Sequence, residues 1–308
     1  MRRPAPDPIY SLRGSSSALS FLKFQGNETL YSGNYDGAVF EWSMETRRVV
    51  SNFSAHPGHS ILYLDFSNDS HLITHGRDGL VKIWAKNETG MRQNGELKCS
   101  DTGFCGSCLL ADGTLAVPGF NQSEVDVYDL NTVKVISQLK HDNSNKKCGM
   151  CMKIKRFEDC EKRELLTGYE DGSVALWDLR QNKIVDKLNV HTDPVMCMDF
   201  CSVLNKGYSG SVTDDLYSWT LFGDKINLSV SVKTKNPGFN DILVRKDGKM
   251  VVFAGWDGSV RIFGAKKLKP LAVLNYHKES VYCLAFSEDN ILACGSKDKQ
   301  ITLWDIYR

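Results

Sequence analysis

A seven-bladed β-propeller, an all-β ring of four-stranded sheets, is the fold this sequence predicts. Three observations predict it: a short motif recurring at near-constant spacing, Asp-Gly turns set between β-branched runs, and an opening segment of the right length to complete the last sheet. The motif is a small residue, Gly, two residues, Asp, and an aromatic six positions after that Asp. It appears as Ser32-Gly33-Asn34-Tyr35-Asp36-Gly37 closing at Trp42, as Thr74-His75-Gly76-Arg77-Asp78-Gly79 closing at Trp84, and as Thr167-Gly168-Tyr169-Glu170-Asp171-Gly172 closing at Trp177. In Ser209-Gly210-Ser211-Val212-Thr213, closing at Trp219, Thr213 takes the Asp position. Ala254-Gly255-Trp256-Asp257-Gly258 closes at Phe263, and Cys294-Gly295-Ser296-Lys297-Asp298 closes at Trp304. The seventh copy, Leu115-Ala116-Val117-Pro118-Gly119 with Val125-Asp126-Val127-Tyr128, keeps the strand rhythm and loses the turn Asp. Closing aromatics therefore fall at 42, 84, 128, 177, 219, 263 and 304, the spacing of four-stranded blades.

The turn and the strands each have a physical reason. Gly tolerates positive φ and Asp accepts bonds from nearby backbone amides, so Asp-Gly favours a tight turn, here between the second and third strands of a blade. The runs that follow, such as Val81-Lys82-Ile83-Trp84 and Ile301-Thr302-Leu303-Trp304, are β-branched and aromatic, suited to packing between blades. Trp304 lies four residues before Arg308, so the last blade lacks an outer strand. Residues 8–13, with the alternating Ile9-Tyr10-Ser11-Leu12-Arg13, are expected to supply it, making one domain of residues 1–308 and removing an unpaired edge.

Composition narrows the function classes. With 42% hydrophobic and 24% charged residues the chain can bury a substantial core. Lys plus Arg number 38 against 37 Asp plus Glu, and a net charge of +1 supplies no field for drawing in nucleic acid or an acidic membrane. No apolar run reaches signal-peptide or transmembrane length, so an intracellular chain is expected. Its ten cysteines then read as free thiols in small apolar spaces.

Two Cys-x-x-Cys pairs, Cys105 with Cys108 and Cys148 with Cys151, have the ligand types of a zinc site. They fall at similar points of successive blades, whose strands should radiate apart, and are read as buried thiols. Histidines ahead of the turns, His56, His141 and His277, are expected to bond Asp78, Asp171 and Asp298. Because this pairing recurs blade by blade, it is read as scaffolding and not as acid-base machinery. No Gly-x-Ser-x-Gly elbow or phosphate-cradling loop occurs around the motif copies. The expectation is a non-enzymatic chain without cofactor or metal.

The residue just before each turn Asp should stand near the rim of one face. These are Tyr35, Arg77, Glu170, Val212, Trp256 and Lys297. Closure of the ring would make Trp256, Lys297, Tyr35 and Arg77 neighbours on one arc, and Trp, Tyr and Arg dominate binding hot spots. A partner-binding arc of Trp256, Lys297, Tyr35, Arg77 and Glu170 follows as an expectation.

Over nearly its full length the chain resembles the WD-repeat family. More narrowly, Gly76-Arg77-Asp78, Leu115-Ala116-Val117-Pro118-Gly119, Gly168-Tyr169-Glu170-Asp171-Gly172, Asn236-Pro237-Gly238, Ala254-Gly255-Trp256-Asp257 and Pro270-Leu271-Ala272-Val273-Leu274 look like the guanine-nucleotide-binding-protein β-subunit-like protein 1 family. The fungal ASTRA-associated propeller is similar. That resemblance implies a monomeric cytoplasmic and nuclear adaptor acting with the Triple-T co-chaperone complex to keep phosphatidylinositol-kinase-related kinases assembled. No G-protein γ subunit is expected, since too few residues precede the first strand for a pairing helix. An alternative, substrate receptor of a cullin-type ubiquitin ligase, is motivated by Trp177-Asp178-Leu179-Arg180, an ending found in propellers that bind that ligase's adaptor.

Overall fold

A computed structural model of the chain describes residues 6–67, 71–88, 90–99, 103–141, 148–157 and 164–306. Within them lie seven antiparallel sheets of four strands each, and a 3₁₀ turn at Ser202–Leu204 is the one helical element among the described residues. Blade 1 runs outward from the ring axis as Leu19–Gln25, Thr29–Asn34, Ala38–Ser43 and Arg48–Ser54. The inner strands of blades 2 to 7 are Ile61–Phe66, Cys108–Leu109, Cys151–Arg156, Cys197–Cys201, Phe239–Val244 and Val281–Phe286. Burial follows this order. The third strand of blade 4, Ser173–Asp178, is buried along almost all its length, whereas the outer strand of blade 1 is largely exposed.

The core is divided as the blades are. Seven apolar clusters occupy the seven interfaces, and each closing aromatic packs toward the preceding blade. Trp42 meets Leu12, Cys283 and Leu303 between blades 7 and 1, Trp84 meets Val39 and Ile61 between blades 1 and 2, and the pattern continues to Trp304 between blades 6 and 7. Trp42, Trp177, Trp219 and Trp304 are fully buried, and the large apolar area each removes from water stabilises its interface.

The two glycines of the motif serve different ends. The Gly of the Asp-Gly pair takes positive φ, 81° at Gly37 and 81° at Gly172, a conformation other residues adopt only under strain. The earlier Gly lets the next blade approach. A Cβ on Gly33 would stand 2.5 Å from Ile61 of blade 2, and one on Gly168 would stand 2.7 Å from Val195 ahead of blade 5.

Closure occurs through the opening segment, as expected. Tyr10–Arg13 pairs antiparallel with Gln300–Asp305, Leu12 opposite Ile301, and completes blade 7 as its outer strand. The Ile9 N–H donates to the Leu303 carbonyl at 2.8 Å, the Ser11 hydroxyl donates to Gln300 Oε1 at 2.9 Å, and Leu12 is buried in the interface with blade 1.

One further feature of the inner strands positions side chains at the rim. In blades 6 and 7 the register slips between Phe239 and Asp241 and between Val281 and Cys283. These β-bulges release Asn240 and Tyr282 from the ladder and re-aim them.

Candidate protein-interaction surface

The turn that carries the rim residues is held from beneath by a polar relay, complete in blades 2 and 7. Trp84 Nε1–H donates to Thr74 Oγ1 at 2.9 Å, Thr74 meets His56 Nε2 at 2.7 Å, and His56 Nδ1 meets the Asp78 carboxylate at 2.9 Å. In the tautomer that satisfies every group, Nδ1–H donates to Asp78 and Nε2 accepts from Thr74. Asp78 also accepts the Leu80 N–H at 3.1 Å, which fixes the turn. Blade 7 repeats the arrangement with His277, Asp298, Thr302 and Trp304 at 2.8 to 2.9 Å. Burial alone would raise these two carboxyls, but the His partners and backbone donors outweigh it and hold Asp78 and Asp298 below the usual carboxylate range.

The other blades reach the same end differently, and one expectation is corrected. Asp171 is not held by His141: its oxygens accept from Ser173 and from Lys187 at 3.0 Å. His141 instead faces Cys148 Sγ at 3.3 Å and packs edge-on against Tyr169 and Trp177. In blade 6, Arg261 grips Asp257 through two bonds of 3.0 and 2.6 Å, and Asn236 adds a third of 2.6 Å. Burial works against it, yet these donors lower the Asp257 carboxyl to about 2. In blade 1 Asn34 Oδ1 accepts the Asp36 and Ala38 N–H groups, which leaves the Asp36 side chain exposed.

With the turns braced internally, the residues before them are left to the rim. Tyr35, Arg77, Glu170, Trp256 and Lys297 are all exposed and Val212 is half-buried. Contacts run from blade to blade along most of them. Trp256 lies on Gly238, its Nε1–H donating to the bulge residue Asn240 at 2.8 Å, while its carbonyl accepts from Ser280. Asn240 donates onward to the Val281 carbonyl at 2.8 Å. The second bulge residue, Tyr282, stacks on Tyr35 with ring centroids 5.3 Å apart, Lys297 meets Glu279 at 3.1 Å, and Arg77 lies over the Phe104 ring at 4.3 Å. The row crosses blades 6, 7, 1 and 2 and reaches the approach to blade 3. Glu170, on blade 4, stands beyond it and accepts the Met150 N–H at 3.0 Å.

Asn240, Tyr282 and Phe104 belong to this row although the motif does not mark them. The first two were discoverable only as the second residue of an inner strand, where the bulge turns it outward. Phe104, in the connection into blade 3, carries no repeat signal.

The cysteine pairs also differ from expectation. They do not radiate apart, because Cys105, Cys108, Cys148 and Cys151 all enter the cluster between blades 3 and 4. A hydrogen bond to Cys105, together with burial, pushes the Cys151 thiol well above its ordinary value. The nine described cysteines are all buried, Cys160 lying outside the described residues. Among the described residues no group of three or more His, Cys, Asp and Glu could hold a metal ion. In Trp177-Asp178-Leu179-Arg180 the Trp177 indole bonds Thr167 and Asp178 accepts the Arg180 N–H, so both serve the blade.

Seven sheets closed by an N-terminal strand, with His-Asp turns and closing tryptophans, define a WD-repeat propeller, a class of protein-interaction scaffold. The family profile for the WD domain, G-beta repeat, matches residues 47–85 and 268–305. Guanine nucleotide-binding protein subunit beta-like protein 1 of Mus musculus is 36% identical, the match covering 99% of this chain and 97% of the mouse protein. ASTRA-associated protein 1 of Schizosaccharomyces japonicus is 30% identical over 98% of this chain and 99% of its own length, and that of Schizosaccharomyces pombe is 27% identical over the same shares. The chain belongs to the family that these β-like 1 and ASTRA-associated proteins form.

Proposed function

We propose that this chain is a non-catalytic adaptor that works with the Triple-T co-chaperone complex, in cytoplasm and nucleus, to support assembly and stability of phosphatidylinositol-kinase-related kinases. The observation that carries the reading is the whole-length likeness to relatives named for association with ASTRA. The geometry supports it: polar groups beneath the turns are spent on bracing the ring, and a row of exposed aromatic and basic side chains is left for a partner. The test is affinity purification of the intact chain from cell extract with identification of what co-purifies. Co-chaperone subunits with the large kinases are expected. Recovery of cullin-ligase subunits, or of G-protein γ chains, in their place would overturn the reading.

A further inference from the structure

The row at the rim has an ordered chemistry. Between blades 7 and 3 it presents the Lys297 ammonium, the Tyr282 and Tyr35 rings, the Arg77 guanidinium and the Phe104 face. Lys297 is shared with Glu279 at 3.1 Å. Burial pushes the Tyr35 phenol up to about 12, with Tyr282 adding to the rise and Arg77 working against it. Arg77 differs from the other rim cation. Its guanidinium carbon lies 4.3 Å from the centre of the Phe104 ring, and among the described residues it has no carboxylate partner and no side-chain hydrogen bond. Its backbone N–H is already donated to Ser60. Asp36, next to Tyr35 and exposed, makes no ion pair with it. A planar fork of N–H donors, oriented by an aromatic ring and left unpaired beside a phenol, matches a carboxylate in shape and charge.

We propose that the Arg77–Phe104 platform and the adjoining Tyr35–Tyr282 pair form a docking site for an extended, Asp/Glu-rich segment of a partner protein, one partner carboxylate seated on Arg77. The inference deepens the adaptor reading and rests on it. A carboxylate fits better than a phosphoryl group, which carries nearly two negative charges at neutral pH and would need a second unshared cation where Lys297 is already committed to Glu279.

The test uses the intact chain and three short synthetic peptides: one Asp/Glu-rich with a central Leu-Phe pair, its Asn/Gln counterpart, and a version carrying phosphoserine. Fluorescence anisotropy is expected to show binding of the acidic peptide, weakened by added salt, and little binding of the amide form. Arg77→Gln should weaken that binding by about ten-fold with an unchanged melting temperature, since the guanidinium braces no other group. Lys183→Gln, an equal loss of charge on the outer strand of blade 4, should leave binding as it was. Equal binding of acidic and amide peptides, equal binding by Arg77→Gln, or tighter binding of the phosphoserine peptide overturns the proposal. An intact chain that recovers no co-chaperone from extract while the peptide result holds removes the adaptor reading instead, so the two failures are told apart.

Discussion

In blade 2 the Trp84 indole is tied through Thr74 and His56 to Asp78. In blade 5 the Trp219 indole N–H is buried with no partner among the described residues, and Thr213 stands where the acid would be. His191 there reaches only Ser209, at 2.9 Å. Yet blade 5 pairs its four strands as regularly as blade 2 does. Apolar packing and strand pairing are therefore sufficient to build a blade, and the relay adds local stability to a sheet that would form without it.

The largest test of that contrast is a pair of substitutions. His56→Ala strands Asp78 and Thr74 in a buried site and should destabilise by about 2–3 kcal/mol, whereas His191→Ala should cost about 1 kcal/mol. Urea midpoints measure both, and equal losses would mean that the relay contributes nothing beyond the imidazole's packing.

Acid comes next. Burial lowers His75 to about 3 and His191 to about 4, neither having a bonded carboxylate. Their folded values lie below the unfolded value of about 6.5, so the unfolded chain binds more protons beneath that pH and stability falls as pH drops from 6.5 toward 4. Burial raises Asp241 to about 6, above its unfolded value, so its contribution runs the opposite way over about pH 4–6. The net loss between pH 7 and pH 5 should be about 2 kcal/mol. His191→Gln should remove roughly half of the histidine part of it, and an unchanged pH profile in that variant would show that His191 is not held neutral.

Blade 4 lies between the extremes, since its acid is gripped by lysine and serine. Asp171→Ala should cost about 1–2 kcal/mol, less than the loss at His56, as thermal denaturation would show. The smallest stability effect is expected in blade 6, where Arg261 braces the turn without Trp256. Trp256→Ala should shift stability by under about 1 kcal/mol while weakening partner capture several-fold. Parallel losses of stability and capture would make Trp256 a packing residue.

The ring was legible because its signals are local. Asp-Gly turns and closing aromatics mark blades 1, 2, 4 and 6, Asp298 with Trp304 marks blade 7, Trp219 marks blade 5, and the strand rhythm around Tyr128 was enough for blade 3. The relays were legible where spacing agreed: 22 residues separate His56 from Asp78 and 21 separate His277 from Asp298. His141 precedes Asp171 by 30, a mismatch that foretold the failed pairing. Tyr282 and Asn240 were hidden because a bulge reverses the alternation by which a strand's facing is read. The convergence of the cysteines depends on how two blades face each other, which no single repeat encodes.

The hydrogen bond from Ser11 to Gln300 joins residues 289 positions apart, and this has a consequence for synthesis. The strand of the ring that is made first must wait, its ladder unsatisfied, until the seventh sheet has been made. During that interval the nascent chain presents two open sheet borders and contacts of very long sequence separation, the conditions under which folding is slow and aggregation competes.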